Sequence, residues 1–238
     1  MNKLLFCFSL LILTFSMHNV NAQGVTLEGL NFGAFIGPNL TLPNVEIVPN
    51  DPNDEVSGGV GIEGGAVVDY GFTPHLGVQS GLIISTRGFK RTTEVPNLLN
   101  PQELITLSSN QNLTTLAVPI TFRVRPGSTI SKVSIFGTLG IIPEINFSYR
   151  NKFDTMSVVQ DGNGNDVLQI DQMDDTSKEN VNVFTASGQA GLGVLAGGAF
   201  VKGTFNFALT EIIENVGIRA FDETVKLHYI TLSVGYFF

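Results

Sequence analysis

Six charged side chains stand in segments that are otherwise apolar or small: Glu63, Asp69, Arg87, Arg123, Glu144 and Lys202. Three are acids and three are bases. The segments alternate with period two, and parity places all six charges on the face opposite the greasy one. If the strands close on themselves, these charges share an interior. Glu63, Arg87 and Glu144 then fall at similar depth in the outer half. Asp69, Arg123 and Lys202 fall in the inner half, and a short turn over 73–75 sets Glu63 near Arg87. Opposed charges in such a space pair and hydrogen-bond, because unpaired buried charge is costly. About eight strands leave a lumen just wide enough for side chains to fill. The reading is therefore a packed polar plug, with a narrow ion or proton path as its alternative.

Other reactive groups are few. His75 and His228 are the only histidines after residue 22. A histidine with a serine and an acid could support hydrolysis. Parity instead sets His228 on the greasy face beside Ile230, and His75 reads as a turn residue. Neither lies in a nucleophile motif, so no catalytic residue is assigned. Asp161-Gly162-Asn163-Gly164-Asn165-Asp166 resembles a calcium loop without its later bidentate glutamate, although Asp171 and Asp174 follow. Glycine and asparagine there spell a turn. No metal and no cofactor is expected.

The positioning elements are short alternating strands. Val60, Ile62, Gly64, Ala66, Val68 and Tyr70 share one face of the second. Leu116, Val118, Ile120, Phe122 and Val124 share one face of the fourth. The fifth carries Val133, Ile135, Leu139, Ile141, Ile145 and Phe147 outward, with Thr138, Gly140, Glu144, Asn146 and Ser148 inward. The eighth carries Ile230, Leu232, Val234, Tyr236 and Phe238 outward. Strands near 27–40, 76–90, 182–196 and 200–210 complete about eight. Hydrophobic content is 43% and mean hydropathy is +0.23, yet after the N-terminal segment no apolar run is long enough for a spanning helix. Greasy faces opposite small or polar ones fit a barrel with lipid outside.

The connections alternate in length. Thr73-Pro74-His75, 126–131 and Gly197-Gly198 are short, and parity across the first and last agrees with the assigned faces. The segments 41–57, 91–111, 150–180 and 211–223 are long. They are also acid-rich, with Glu46, Asp51, Asp54 and Glu55 in the first and a run from Asp154 to Glu179 in the third. Outer-membrane barrels have short periplasmic turns and long external loops. Met156–Gln160 and Val167–Ile170 are too short to span and read as a hairpin standing above the membrane. Tyr70, Phe72, Phe122, Tyr149, Phe200, Tyr229, Tyr236 and Phe238 lie near strand ends, as in aromatic girdles.

The N-terminus has Lys3, an apolar run Leu4–Phe15 and the small-residue site Val20-Asn21-Ala22. This reads as a signal peptide over 1–22, leaving one domain, 23–238. Cys7, the only cysteine, lies inside the apolar run rather than at its end, which does not fit lipidation. The net charge of −8 argues against nucleic acid, whose phosphates need clustered Lys and Arg.

The chain ends in Gly235-Tyr236-Phe237-Phe238. A terminal aromatic preceded by alternating apolar residues resembles the signal read by the barrel assembly machinery, with Tyr236 and Phe238 as its outward positions. Asn31-Phe32-Gly33-Ala34, Gly81–Gly88, Leu113–Ile120 and the Ala22-Gln23 junction resemble the PorT-like outer membrane β-barrel family of Bacteroidota. One group of that family takes part in protein secretion, and no residue set here assigns this chain to it. The expected fold is all-β, an antiparallel up-and-down transmembrane β-barrel of about eight strands. The expected role is a scaffold in outer-membrane lipid whose acidic extracellular loops meet an envelope or extracellular protein. The alternatives are a narrow channel or transport/secretion-associated barrel and, third, an outer-membrane lipid-modifying enzyme.

Overall fold

The computed structural model describes residues 28–48, 54–126, 133–160, 162, 165–176, 181–214 and 222–238. The signal-peptide reading, half of the calcium-like turn and the acidic positions Asp51 and Glu179 lie outside these residues.

Among the described residues twelve strands form one antiparallel sheet: β1 (Gly29–Val48), β2 (Asp54–Gly58), β3 (Val60–Gly71), β4 (Leu76–Pro96), β5 (Leu104–Ala117), β6 (Ile120–Val124), β7 (Val133–Gln160), β8 (Asp166–Asp175), β9 (Phe184–Ala196), β10 (Ala199–Ala208), β11 (Ile213–Glu214) and β12 (Asp222–Phe237). β6 continues the path of β5 after a break at Val118-Pro119, where proline has no N–H for the ladder. β2 continues the path of β3 beside β4. With β2/β3 and β5/β6 each forming one stave, eight staves run around the ring. β12 pairs with β1 from Gly33↔Phe237 to Val48↔Asp222 and closes it. Closure leaves no free edge within the ring, which suits a sheet immersed in hydrocarbon.

The short turns take the expected forms. Gly197 and Gly198 have φ of 55° and 90°, the left-handed pair that a two-residue hairpin turn requires. At 73–75, Thr73 Oγ1 accepts the backbone N–H groups of His75 and Leu76, an arrangement that holds the turn without a helix.

The long connections differ from expectation. Most of 41–57, 91–111 and 150–180 is paired strand: β4 runs to Pro96, β5 starts at Leu104, and β7 runs on to Gln160 against β8. Thr92, Thr93, Val95, Ile105, Thr106 and Leu107 are β-favouring. Above the membrane, cross-strand hydrogen bonds remain the economical way to satisfy these backbones. Only 97–103 turns the chain between β4 and β5, with Asn97 Nδ2 donating to Glu103 Oε2 at 3.0 Å. The expected hairpin above the membrane is the upper part of β7 with β8.

A β-bulge interrupts β7. Thr114 pairs with Ser148 and Thr115 with Asn146, so Phe147 has no partner on β5. An extra residue reverses parity beyond it. Ser148, expected inward, is therefore exposed, and Tyr149 turns toward the interior.

The interior is more apolar than expected. Phe136, Leu195, Phe200, Phe237 and Val67 cluster at the end with the short turns. Phe89, Leu113, Ile212, Val225 and Leu227 cluster at the other end, with Tyr149 packed against them. Glycines make the first cluster fit: a Cβ on Gly193 would overlap the Phe136 ring, and one on Gly235 the Phe200 ring. The girdle assignment accordingly fails for Phe200, Tyr229 and Tyr149. Phe200 and Tyr229 are 5% and 2% exposed, because each is one residue out of phase with the lipid-facing Val201 and Ile230. Tyr70, Phe72, Phe122, Tyr236 and Phe238 do face outward.

Candidate functional site

The inward positions of β12 index the layers of the lumen in order. Val225 and Leu227 belong to the upper apolar cluster. Tyr229 comes next, then Thr231 and Ser233, and Phe237 belongs to the lower cluster. The charges lie between and beside these levels.

At the Tyr229 level, Arg87 on β4 meets Glu144 on β7 through two parallel bonds, Nη1 to Oε2 at 2.7 Å and Nη2 to Oε1 at 2.9 Å. Both side chains are 1% exposed. Such bidentate pairing is the strongest geometry available to these groups. Tyr229 completes it. Its hydroxyl donates to Glu144 Oε1 at 2.9 Å, and its ring centroid lies 3.5 Å from the Arg87 guanidinium carbon. The ring covers the cation while the hydroxyl occupies a carboxylate lone pair; of the guanidinium, the buried Nε alone has no hydrogen-bond partner among the described residues.

Glu63 lies just below. Its strand register pairs it with Ser85, two residues from Arg87. Its carboxylate accepts from Thr231 Oγ1 at 3.2 Å and Ser233 Oγ at 3.5 Å. The ion pair of Arg87 thus goes across the lumen to Glu144, not to its strand neighbour. Lys202 lies lower, with Nζ 5.8 Å from the Phe35 ring centroid. Near the turn end Arg123 Nε donates to Asp69 Oδ2 at 2.8 Å, both side chains 0% exposed. The six charges therefore form two buried ion pairs, one hydroxyl-bonded carboxylate and one lysine among aromatics.

Neutral polar groups fill between them. Gln189 Nε2 donates to Asn206 Oδ1 at 2.9 Å, and Ser85 and Thr115 hydroxyls share a bond at 3.3 Å. A cavity of about 10 Å³ beside Lys202, Phe35 and Gln79 is the size of one water. Chemically this is a fixed, mutually neutralised layer held between two apolar clusters. Tyr229 is the member that the sequence reading missed. The signal was present: Ile230 faces outward, so its neighbour must face inward.

The histidines are placed apart from this layer. His228 Nδ1 accepts the Ala208 N–H at 3.1 Å, and its ring stacks on Phe205 on the outer wall. His75 Nδ1 bonds to the Arg125 carbonyl at 2.9 Å in the 73–75 turn. Among the described residues no group of three or more His, Cys, Asp or Glu side chains is arranged to hold a metal.

Several solved outer-membrane proteins are similar in fold. The outer membrane protein OprG of Pseudomonas aeruginosa aligns over 89% of this chain and 97% of its own, at 14% identity and a TM-score of 0.46. Ail, the attachment invasion locus protein of Yersinia pestis, aligns over 88% and 99% at 14% identity and 0.40. The N-terminal β-barrel domain of Pseudomonas aeruginosa OprF aligns over 89% and 98% at 12% identity and 0.30. No curated protein matches the chain. The outer membrane protein beta-barrel domain family matches over residues 21–214, and with an eight-stave closed ring, a greasy lipid-facing belt and a layer of paired charges in its interior, this chain belongs to that family as an outer-membrane β-barrel.

Proposed function

We propose that this barrel is a scaffold rather than a pore: a sealed cylinder that holds paired, acid-bearing extensions outside the membrane for a protein partner. The carrying observation is the stack of two apolar clusters with the closed Arg87–Glu144–Tyr229 layer between them. An ion crossing this lumen would have to shed water twice among phenyl and aliphatic side chains, which costs several kcal/mol per charge. The extensions support the other half of the reading. β7 and β8 carry Asp154, Asp166, Asp171, Asp174 and Asp175 beyond the last lipid-facing residues.

The chain is read as non-enzymatic: His228 Nδ1 is occupied by the Ala208 N–H and His75 Nδ1 by the Arg125 carbonyl, so both rings serve the wall and the turn. Export through cleavage after Ala22, recognition of the Tyr236–Phe238 end by the assembly machinery, and kinship with the PorT-like barrels of Bacteroidota belong to the same proposal. They rest on the sequence features given above.

Purified full chain in planar lipid bilayers tests the central point. Insertion without stepwise conductance is expected. Resolved, reproducible conductance steps would replace the scaffold by a channel.

A further inference from the structure

The outer wall of β4, β5 and β7 changes chemistry row by row. Cross-strand register aligns Ile84, Leu116 and Ile145 in one outward row. Thr86, Thr114 and Ser148 form the next, then Gly88, Asn112 and Arg150, then Lys90, Asn110 and Lys152. Above these, Thr92 pairs with Ser108, whose N–H donates to Asp154, and Glu94 pairs with Thr106. The sequence of rows is apolar, hydroxyl, amide and arginine, lysine, and finally acid.

The bulge at Phe147 creates this order. Below it β7 points Glu144 and Asn146 inward. Without the extra residue Arg150 and Lys152 would share that parity and enter the lumen, so the bulge turns two cations to the exterior. Arg150 is held by Asp174, donating from Nε at 2.9 and 2.8 Å, and Lys152 contributes to the field at the same carboxylate. Lys90 makes no ion pair among the described residues and is exposed. Asn110 sits between the two lysines with its side chain on the same face.

We propose that Lys90, Asn110 and Lys152 bind the phosphate-bearing headgroup of an outer-leaflet lipid. The row stands above Ile84, Leu116 and Phe147, the last large apolar side chains of the lipid-facing belt on these strands, with the hydroxyl row and the Arg150 row between. From there the long lysine side chains can reach back down the wall toward the headgroups of a bilayer surrounding the belt. Two ammonium groups flanking an amide offer charge-assisted hydrogen bonds to a phosphate. Asp174 stands opposite Lys152 in the same row and is engaged by Arg150, and the acids above make the row a poor site for an acidic protein approaching from outside.

The full chain in detergent micelles, examined by native mass spectrometry, tests this. The probes are bisphosphorylated lipid A, the same lipid dephosphorylated, and inorganic phosphate. The K90Q/K152Q variant is expected to bind the bisphosphorylated lipid about twenty-five-fold less, since each of the two cations at a charged lipid surface contributes on the order of fivefold. K90R/K152R should retain binding, and K226Q, elsewhere on the outer wall, should match the parent chain. A heat-dependent gel shift confirms that each variant is folded. Equal binding by the parent chain and K90Q/K152Q overturns the proposal. So does indifference to the lipid's phosphates, or displacement of the lipid by inorganic phosphate at equal concentration.

Discussion

The ring of Tyr229 lies 3.5 Å from the guanidinium carbon of Arg87, while its hydroxyl bonds to the Glu144 carboxylate that clamps the same arginine. One side chain thus shields a cation with its face and satisfies an anion with its edge. Glu144→Ala leaves Arg87 charged in a dry interior and should cost about 3–5 kcal/mol. Tyr229→Phe keeps the ring, loses one hydrogen bond to a charge, and should cost about 1.5–3 kcal/mol. Urea unfolding of the refolded barrel in micelles measures both. Equal losses in the two variants would refute this division of roles.

The bulge at Phe147 makes a geometric prediction. With Cys7 replaced or removed, a cysteine at Ser148 should react rapidly with a soluble maleimide in micelles. A cysteine at Tyr149 should react slowly because it faces the upper cluster. The opposite pattern would mean that β7 continues without the bulge.

Hairpin anchoring should depend on pH. The hydrogen bonds from Arg150 hold the Asp174 carboxyl below its ordinary value of 3.8. A carboxyl depressed on folding stabilises the hairpin above its unfolded value, and that contribution disappears as pH falls through the folded value. Carbon-detected NMR of Asp174 should titrate below the ordinary range, and Arg150→Gln should return it there. Both groups are solvent-exposed, so the effect is local to β7 and β8.

The turn between β9 and β10 tolerates little change. Gly198 has φ of 90°, and a Cβ there would come 2.9 Å from the Phe237 carbonyl oxygen. Gly198→Val should lower stability by about 1–2 kcal/mol or more. The measurement is the urea midpoint of the gel-shifted form, and an unchanged midpoint would contradict the turn geometry.

Much of this architecture was legible from period two alone. Outward residues such as Val60, Phe122, Leu139 and Leu232 follow directly from alternation, as do the inward positions of Glu63, Asp69, Arg123 and Glu144. Three features were not legible. The bulge at Phe147 arises from pairing with β5, a long-range fact that β7 does not record. The lumen's aromatic content was obscured by assuming that inward means polar: Phe136 and Phe200 alternate correctly, yet only the opposing Gly193 and Gly235 show that rings fit there. The pairing of Arg87 with Glu144 over Glu63 depends on side-chain reach across the barrel, which register between neighbouring strands does not determine.

The seam between β1 and β12 has a kinetic meaning. Gly33 must find Phe237 and Val48 must find Asp222, so the seam joins the strands of this ring that lie farthest apart in sequence. Contacts of such separation make closure slow. The same seam must open before the cylinder can unravel, so the protein's persistence should be a matter of rates as much as of equilibrium. A chain that lacks its final strand would remain an open sheet with two long unsatisfied edges, the form most prone to pair with its neighbours instead of with itself.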